Sequence, residues 1–260
     1  MTEIPTAADT AAGRVCAVLF DLDDTLFDHR HCATASLRSV HERHECFRGM
    51  PFDQLERAHG ELLEELHNEV MVGRVAVDAA RRERFRRLFL AAGVTATEAM
   101  ASEAAAGYRQ AYLEARRAIA GAANLLARVR LRARVVIVSN NVVEEQRGKL
   151  QHCGLDRFVD ALVVSGEEGV SKPDPEIFRR ALARVGCPPA EAVMLGDSWA
   201  ADIAGARAAG IRAVWFNPRG AARPEPGDDV VEIGALEPIE RVMHALFGNA
   251  AVAEAHANRR

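Results

Sequence analysis

In Val15-Cys16-Ala17-Val18-Leu19-Phe20-Asp21-Leu22-Asp23-Asp24-Thr25-Leu26 an apolar run breaks off into three carboxylates. Six consecutive apolar residues, too few and too β-branched for a helix, predict a strand buried on both faces. Side chains two apart on a strand share a side, so Asp21 and Asp23 are expected to reach toward one point, with Asp24 turned elsewhere. The carboxyl ends of parallel strands are where open α/β sheets bind ligands. Carboxylates crowded at such an edge repel unless a cation or proton lies between them. Taken alone, the stretch fits an acidic turn equally well, so the rest of the chain must decide.

Downstream, Phe27 to Arg117 carries helical periodicity and almost no strand signal. Phe52, Leu55, Leu62, Leu63, Leu66 and Val70 follow helical spacing, as do Phe85, Leu88, Phe89 and Ala92. Breaks at Gly49-Met50-Pro51, Val72-Gly73 and Gly93-Val94 divide this block into helices. The charges Arg81, Arg82, Glu83, Arg84, Arg86 and Arg87 are expected to form a solvated helix face. From about Ile119 short apolar runs alternate with helices: Arg134–Ser139, Ala161–Val164, Ala192–Leu195 and Arg212–Phe216, with a sixth strand near Asp229–Ile233. Asp174 is the expected N-cap of one helix, with Pro175 in its first turn. This alternation predicts an α/β fold, a doubly wound parallel sheet interrupted by an inserted α-helical domain.

Three more strand connections carry polar chemistry. Ser139-Asn140-Asn141 ends the second strand, where a hydroxyl and backbone N–H groups can cradle an anion. The loop after the third strand offers Lys172 between Ser171 and Pro173, a fixed point charge for an oxyanion. Gly196-Asp197-Ser198 ends the fourth strand, with Asp202 following. Asp21, Asp23 and Asp197 around one point suit a hard cation with oxygen ligands, Mg²⁺ above all. Neither a G-x-x-x-x-G-K-[ST] loop nor a G-x-G-x-x-G fingerprint is present.

These motifs, in this order, resemble the haloacid dehalogenase-like (HAD) hydrolase superfamily, from Val15 to about Phe216. Asp21-Leu22-Asp23-Asp24-Thr25 matches its DxDxT motif, Ser139 the second, Lys172 the third, and Gly196-Asp197 through Asp202 the GDxxxxD form of the fourth. The resemblance implies a Rossmann-like core of strand order 5-4-1-2-3, spanning 14–26 and 118–247, with a helical cap at 27–117. It also implies a phosphatase, because the haloacid dehalogenases lack an aspartate at the position of Asp23. Asp21 is then the nucleophile and Asp23 the acid/base. Ser139, Asn140 and Lys172 bind phosphate, and Asp21, Asp23 (through its carbonyl) and Asp197 hold Mg²⁺. Asp202 and Thr25 support them from behind, while Phe27, His29 and His31 are placed to choose the substrate. Where relatives often carry glycine this chain has Asn141, expected to tolerate a left-handed backbone. The substrate implied is a small-molecule phosphate ester. A phosphomutase of the β-phosphoglucomutase type is the alternative, ahead of a dehalogenase or a non-catalytic phospho-ligand binder.

Composition sets the remaining expectations. Of 260 residues, 49% are hydrophobic and 27% charged, enough apolar mass for a sizeable core. A net charge of -4 gives no reason to expect a nucleic acid or membrane partner. Five scattered cysteines without a CxxC pair suggest reduced thiols in a cytoplasmic monomer or homodimer. Residues 1–13 have no signal-peptide pattern, and both they and 248–260 are expected to be disordered.

Overall fold

A computed structural model describes residues 15–224 and 230–248. The stretches expected to be disordered lie outside those residues, save Gly248 behind the last helix, and so does Asp229. The apolar run forms β1 (Ala17–Phe20), with every residue buried. It lies between β2 (Arg134–Ser139) and β4 (Ala192–Gly196), pairing Phe20 with Ile137 on one side and Leu195 on the other. β3 (Ala161–Val164) flanks β2, and β5 (Arg212–Phe216) and β6 (Val231–Ile233) extend the other side. The sheet is parallel throughout, in the order β3-β2-β1-β4-β5-β6. This is the order 5-4-1-2-3 anticipated from the motifs, with β6 added at the outer edge.

Two compact units divide the chain. Among the described residues, one comprises 15–27 and those from Ala118 onward, the other Asp28–Arg117. In the first, the helices are the connections between strands. Alternate strand residues (Ala17, Leu19, Val136, Val138, Ala192 and Met194) pack in one apolar cluster with Ile177, Phe178 and Ile203. The opposite-facing set (Val18, Phe20, Val135, Ile137, Val193 and Leu195) is equally buried, so both sheet faces are covered, which is what favours near-continuous apolar strands.

In the second unit the helices are α1 (His29–Arg43), the single turn α2 (Glu45–Arg48), α3 (Phe52–Met71), α4 (Val77–Ala91) and α5 (Glu98–Glu114). Asp28 caps α1 by accepting from His31 N, and Thr97 caps α5 by accepting from Met100 N. The first unit continues with α6 (Ala122–Arg130), α7 (Val143–His152), the single turn α8 (Ser165–Glu168), α9 (Pro175–Val185), the short α10 (Gly205–Ala208) and α11 (Ile239–Phe247). As the sequence suggests, Asp174 accepts from Glu176 N at the start of α9. A helical turn, α8, stands where only a loop was expected.

Another departure concerns the cysteines. Cys16, just before β1, and Cys187, just after α9, are joined by a disulfide, their Cα atoms 6.0 Å apart. Scattered spacing concealed this pair because the parallel sheet brings the approach to β1 beside the approach to β4, across 171 residues of sequence. Cys32, Cys46 and Cys153 stand outside it. Among the described residues no helix is long and apolar enough to cross a membrane.

Candidate active site

Backbone pairing continues one residue past β1, where Asp21 N donates to Leu195 O at 3.0 Å. The chain then folds tightly on itself, with Leu26 N and Phe27 N both donating to Leu22 O. Asp24 has φ 61°, the single non-glycine residue with positive φ among the described residues. Aspartate tolerates this left-handed backbone better than most side chains, which gives the third carboxylate a conformational job.

Asp21 and Asp23 do not converge. Lys172, itself buried, donates from Nζ to Asp21 Oδ1 at 2.6 Å and to Asp202 Oδ1 at 2.7 Å. Asp23 meets a different lysine: Lys149 Nζ donates to both of its oxygens, at 2.6 and 2.7 Å. Gln146 Nε2 donates to Asp23 Oδ2 at 3.0 Å and to Ser139 Oγ at 2.6 Å, linking the ends of β1 and β2. The carboxylate of Asp23 is thus directed to α7, which corrects the expectation of one shared point. Gln146 and Lys149 were not singled out in the sequence. Their signal was available: they sit on the same helix face as the buried Val143 and Leu150, where two polar residues have no reason to be unless they have partners.

Other expected residues are placed as follows. Asn140 is a brace, since its Nδ2 donates to Lys172 O and its Oδ1 accepts from Lys172 N, both at 2.8 Å. The side-chain amide of Asn140 is thereby occupied with the Lys172 backbone. Asn141 is not left-handed; its Oδ1 accepts from Val142 N at 2.8 Å, and its Nδ2 lies 3.4 Å from Asp23 Oδ2. Thr25 is buried, with no hydrogen-bond partner for its Oγ1. Phe27 is fully buried, with the Lys149 ammonium 5.3 Å from its ring centroid. It therefore backs Lys149, which corrects the expectation that it faces a substrate. His29 and His31 belong to the helical unit, where His29 Nδ1 meets Tyr112 Oη at 2.7 Å.

Asp197 follows β4, its carbonyl accepting from Trp215 Nε1 at 2.9 Å. Asp202 is fully buried and accepts from Ser198 N at 3.0 Å. Residues Trp199–Ala204, which include Asp202, form a wide π-type turn instead of a regular helix start. Gly196 makes room for this arrangement: a Cβ there would lie 2.6 Å from that of Asp202.

Ligand atoms of Asp21, Asp197 and Asp202 all lie within 4.8 Å of one another. Burial pushes Asp21 well above the usual carboxylate range; Lys172 opposes this, and Asp202 and Asp197 reinforce it. Asp197 is pushed up to about 7 by burial, then by Asp202 and Asp24, against Arg219 and Lys172. Burial pulls the Lys172 ammonium down, but Asp202 and Asp21 more than offset it and hold it above the ordinary lysine value. Three carboxylates gathered at this distance, two of them, Asp21 and Asp197, raised by burial and then by neighbouring carboxylates, fit a hard divalent cation such as Mg²⁺.

A buried lysine held between carboxylates at the carboxyl edge of a parallel α/β sheet is the arrangement the motifs led us to expect. The sequence profile of the haloacid dehalogenase-like hydrolases matches residues 15–210, and the chain belongs to that family. It is similar to glyceraldehyde 3-phosphate phosphatase of Pyrococcus furiosus, with 30% identity over 217 residues, covering 78% of this chain and 81% of that protein. Phosphoserine phosphatase of Thermus thermophilus is 46% identical over 91 residues, a match that spans 35% of this chain and 36% of the relative. Among solved structures, the magnesium-bound HAD-hydrolase YfnB of Bacillus subtilis superposes with a TM-score of 0.69 at 26% identity, covering 89% of this chain and 99% of that one.

Proposed function

We propose that this chain is a Mg²⁺-dependent phosphatase that hydrolyses a small-molecule phosphate monoester through an aspartyl-phosphate on Asp21. The observation that carries this reading is the separate pairing of the first two aspartates: Asp21 with Lys172 beside Asp197 and Asp202, Asp23 with Lys149. Two carboxylates two residues apart are thereby given different surroundings, which suits one nucleophile and one proton carrier. The phosphatases named above, and the presence of an aspartate at position 23, support phosphate over halide chemistry.

In this scheme an Asp21 oxygen attacks phosphorus in line and the bond from phosphorus to the leaving oxygen breaks. Asp23 gives its proton to that oxygen, releasing an alcohol. It then takes a proton from the water that attacks the aspartyl-phosphate, and inorganic phosphate leaves with Asp21 restored. Lys172 and Ser139 hold the phosphoryl oxygens. Asn140 keeps the Lys172 backbone in place, and Asp202 keeps its ammonium directed at Asp21. Asp21, Asp197 and the Asp23 carbonyl, with Asp202 adjacent, are the groups that would hold Mg²⁺, whose charge lowers the repulsion between an anionic nucleophile and an anionic ester.

A phosphate-release screen over nucleotides, sugar phosphates and small acid phosphates, with and without Mg²⁺, tests this reading. Metal-dependent release, lost in Asp21→Asn, is expected. Release at a near wild-type rate by that variant would overturn it.

A further inference from the structure

Arginines on an amphipathic helix ordinarily keep their guanidinium in water or against an acid. On α4 the expected solvated row mostly does so, for Arg81 pairs with Asp78, and Arg86 and Arg87 share Glu83. Arg84 breaks the pattern. It is 7% exposed, and its Nε has no hydrogen-bond partner. The ionisable groups that act on it are Tyr108 and Arg81, neither of which is an acid at ordinary pH.

What surrounds Arg84 is aromatic and basic. Its Cζ lies 5.1 Å from the Tyr108 ring centroid and 5.5 Å from that of Phe85. His59, on α3, is 4% exposed, and its Nε2 also lacks a partner. The His59 ring lies 4.9 Å from Tyr108 and 6.2 Å from Phe85. Tyr108 adjoins Tyr112, whose hydroxyl meets His29. Burial, Arg84 and His29 push His59 well below its ordinary value, so its ring is neutral and adds no second charge. Four helices thus gather two histidines and two tyrosines around the buried Arg84 cation, which has no acidic partner among the described residues. Ring contacts return less than the hydration that a buried guanidinium gives up, and an oxyanion ligand supplies the missing partner for both Arg84 and His59.

We propose that Arg84, His59 and Tyr108 form an anion-binding site within the helical unit, built for a carboxylate or phosphate group. Its ligand is a free small oxyanion.

Malonate is the probe, with sodium chloride at equal ionic strength as the control, read as the unfolding temperature of the metal-free protein. Malonate is expected to raise the wild-type midpoint and leave that of Arg84→Met unmoved. In chloride, Arg84→Met should unfold no lower than wild type, because it discards an uncompensated buried charge. No response in wild type, or an equal response in both proteins, overturns the site. If Arg84→Met does not fold, His59→Phe is compared in the same way, with a weakened malonate response expected and an unchanged one contradicting the site.

Discussion

Lys149 and Lys172 reach the end of β1 from different elements, one from a helix and one from a loop held by Asn140. Methionine at 149 keeps the length of the side chain but removes both charge-assisted bonds to Asp23. Removing a group that orients a reacting residue commonly costs 10–100-fold in activity, so Lys149→Met should lower kcat by roughly that factor with little change in KM. Lys149→Arg should recover part of the loss, and steady-state kinetics on one ester decide it. Asp197 gives a pH prediction. Between the ordinary aspartate value of ~4 and about 7, the folded metal-free protein holds a proton that the unfolded chain has released. Its stability therefore falls as pH rises through that window. Metal binding needs the carboxylate, so the stabilisation given by Mg²⁺ should grow over the same range, read from unfolding temperatures at pH 5 and 8. A constant gain across that range would count against Asp197 as a ligand. Sequence alone pointed to Asp21, Asp23, Ser139, Lys172 and Asp197, because each stands at a strand end or on a short, proline-bounded loop. Asp202 beside Lys172 was anticipated too, whereas the partners of Gln146 and Lys149 were not, since hydrogen-bond choice depends on how α7 lies against the sheet edge.

At the scale of elements, close approach matters most around Lys172. A Cβ at Gly205 would lie 2.8 Å from Phe178 Cε2 and 2.9 Å from Pro173 Cα and O, so α10 can press on the Lys172 loop only with glycine there. Gly205→Ala should cost about 1–3 kcal/mol, measured by denaturant unfolding, and should weaken activity through the displaced loop. The five strands that read as uninterrupted apolar runs were legible because they are buried on both faces, and α9 announced itself by Asp174 and Pro175. The π-type turn was not legible: it follows from tucking Asp202 under Gly196, a tertiary contact that leaves no periodic trace. On α4 the charges Arg81 to Arg87 look alike in sequence. Arg84 goes inward because helix geometry places it near Ala80 and Leu88 on the buried stripe.

For the whole molecule, a parallel α/β sheet interrupted by a helical stretch was legible from the alternation of periods, which is a property of long segments, while the strand order came from the family resemblance that the motifs carry. The Cys16–Cys187 link was not, because connectivity cannot be deduced from spacing. It predicts that three thiols react under denaturing conditions without reductant and five after reduction, by thiol titration. Five in both conditions would refute the link. The proposed reaction depends on Asp21 forming a covalent bond to phosphorus. Asp23→Asn slows hydrolysis of the intermediate, so acid-quenched single turnover of that variant with Mg²⁺ and a reactive aryl phosphate is the direct test, read by peptide mass spectrometry. A phosphoryl group on the peptide bearing Asp21, absent from the Asp21→Asn protein, is the predicted result. A phosphoryl group on any other residue, or none while product is formed, would contradict it.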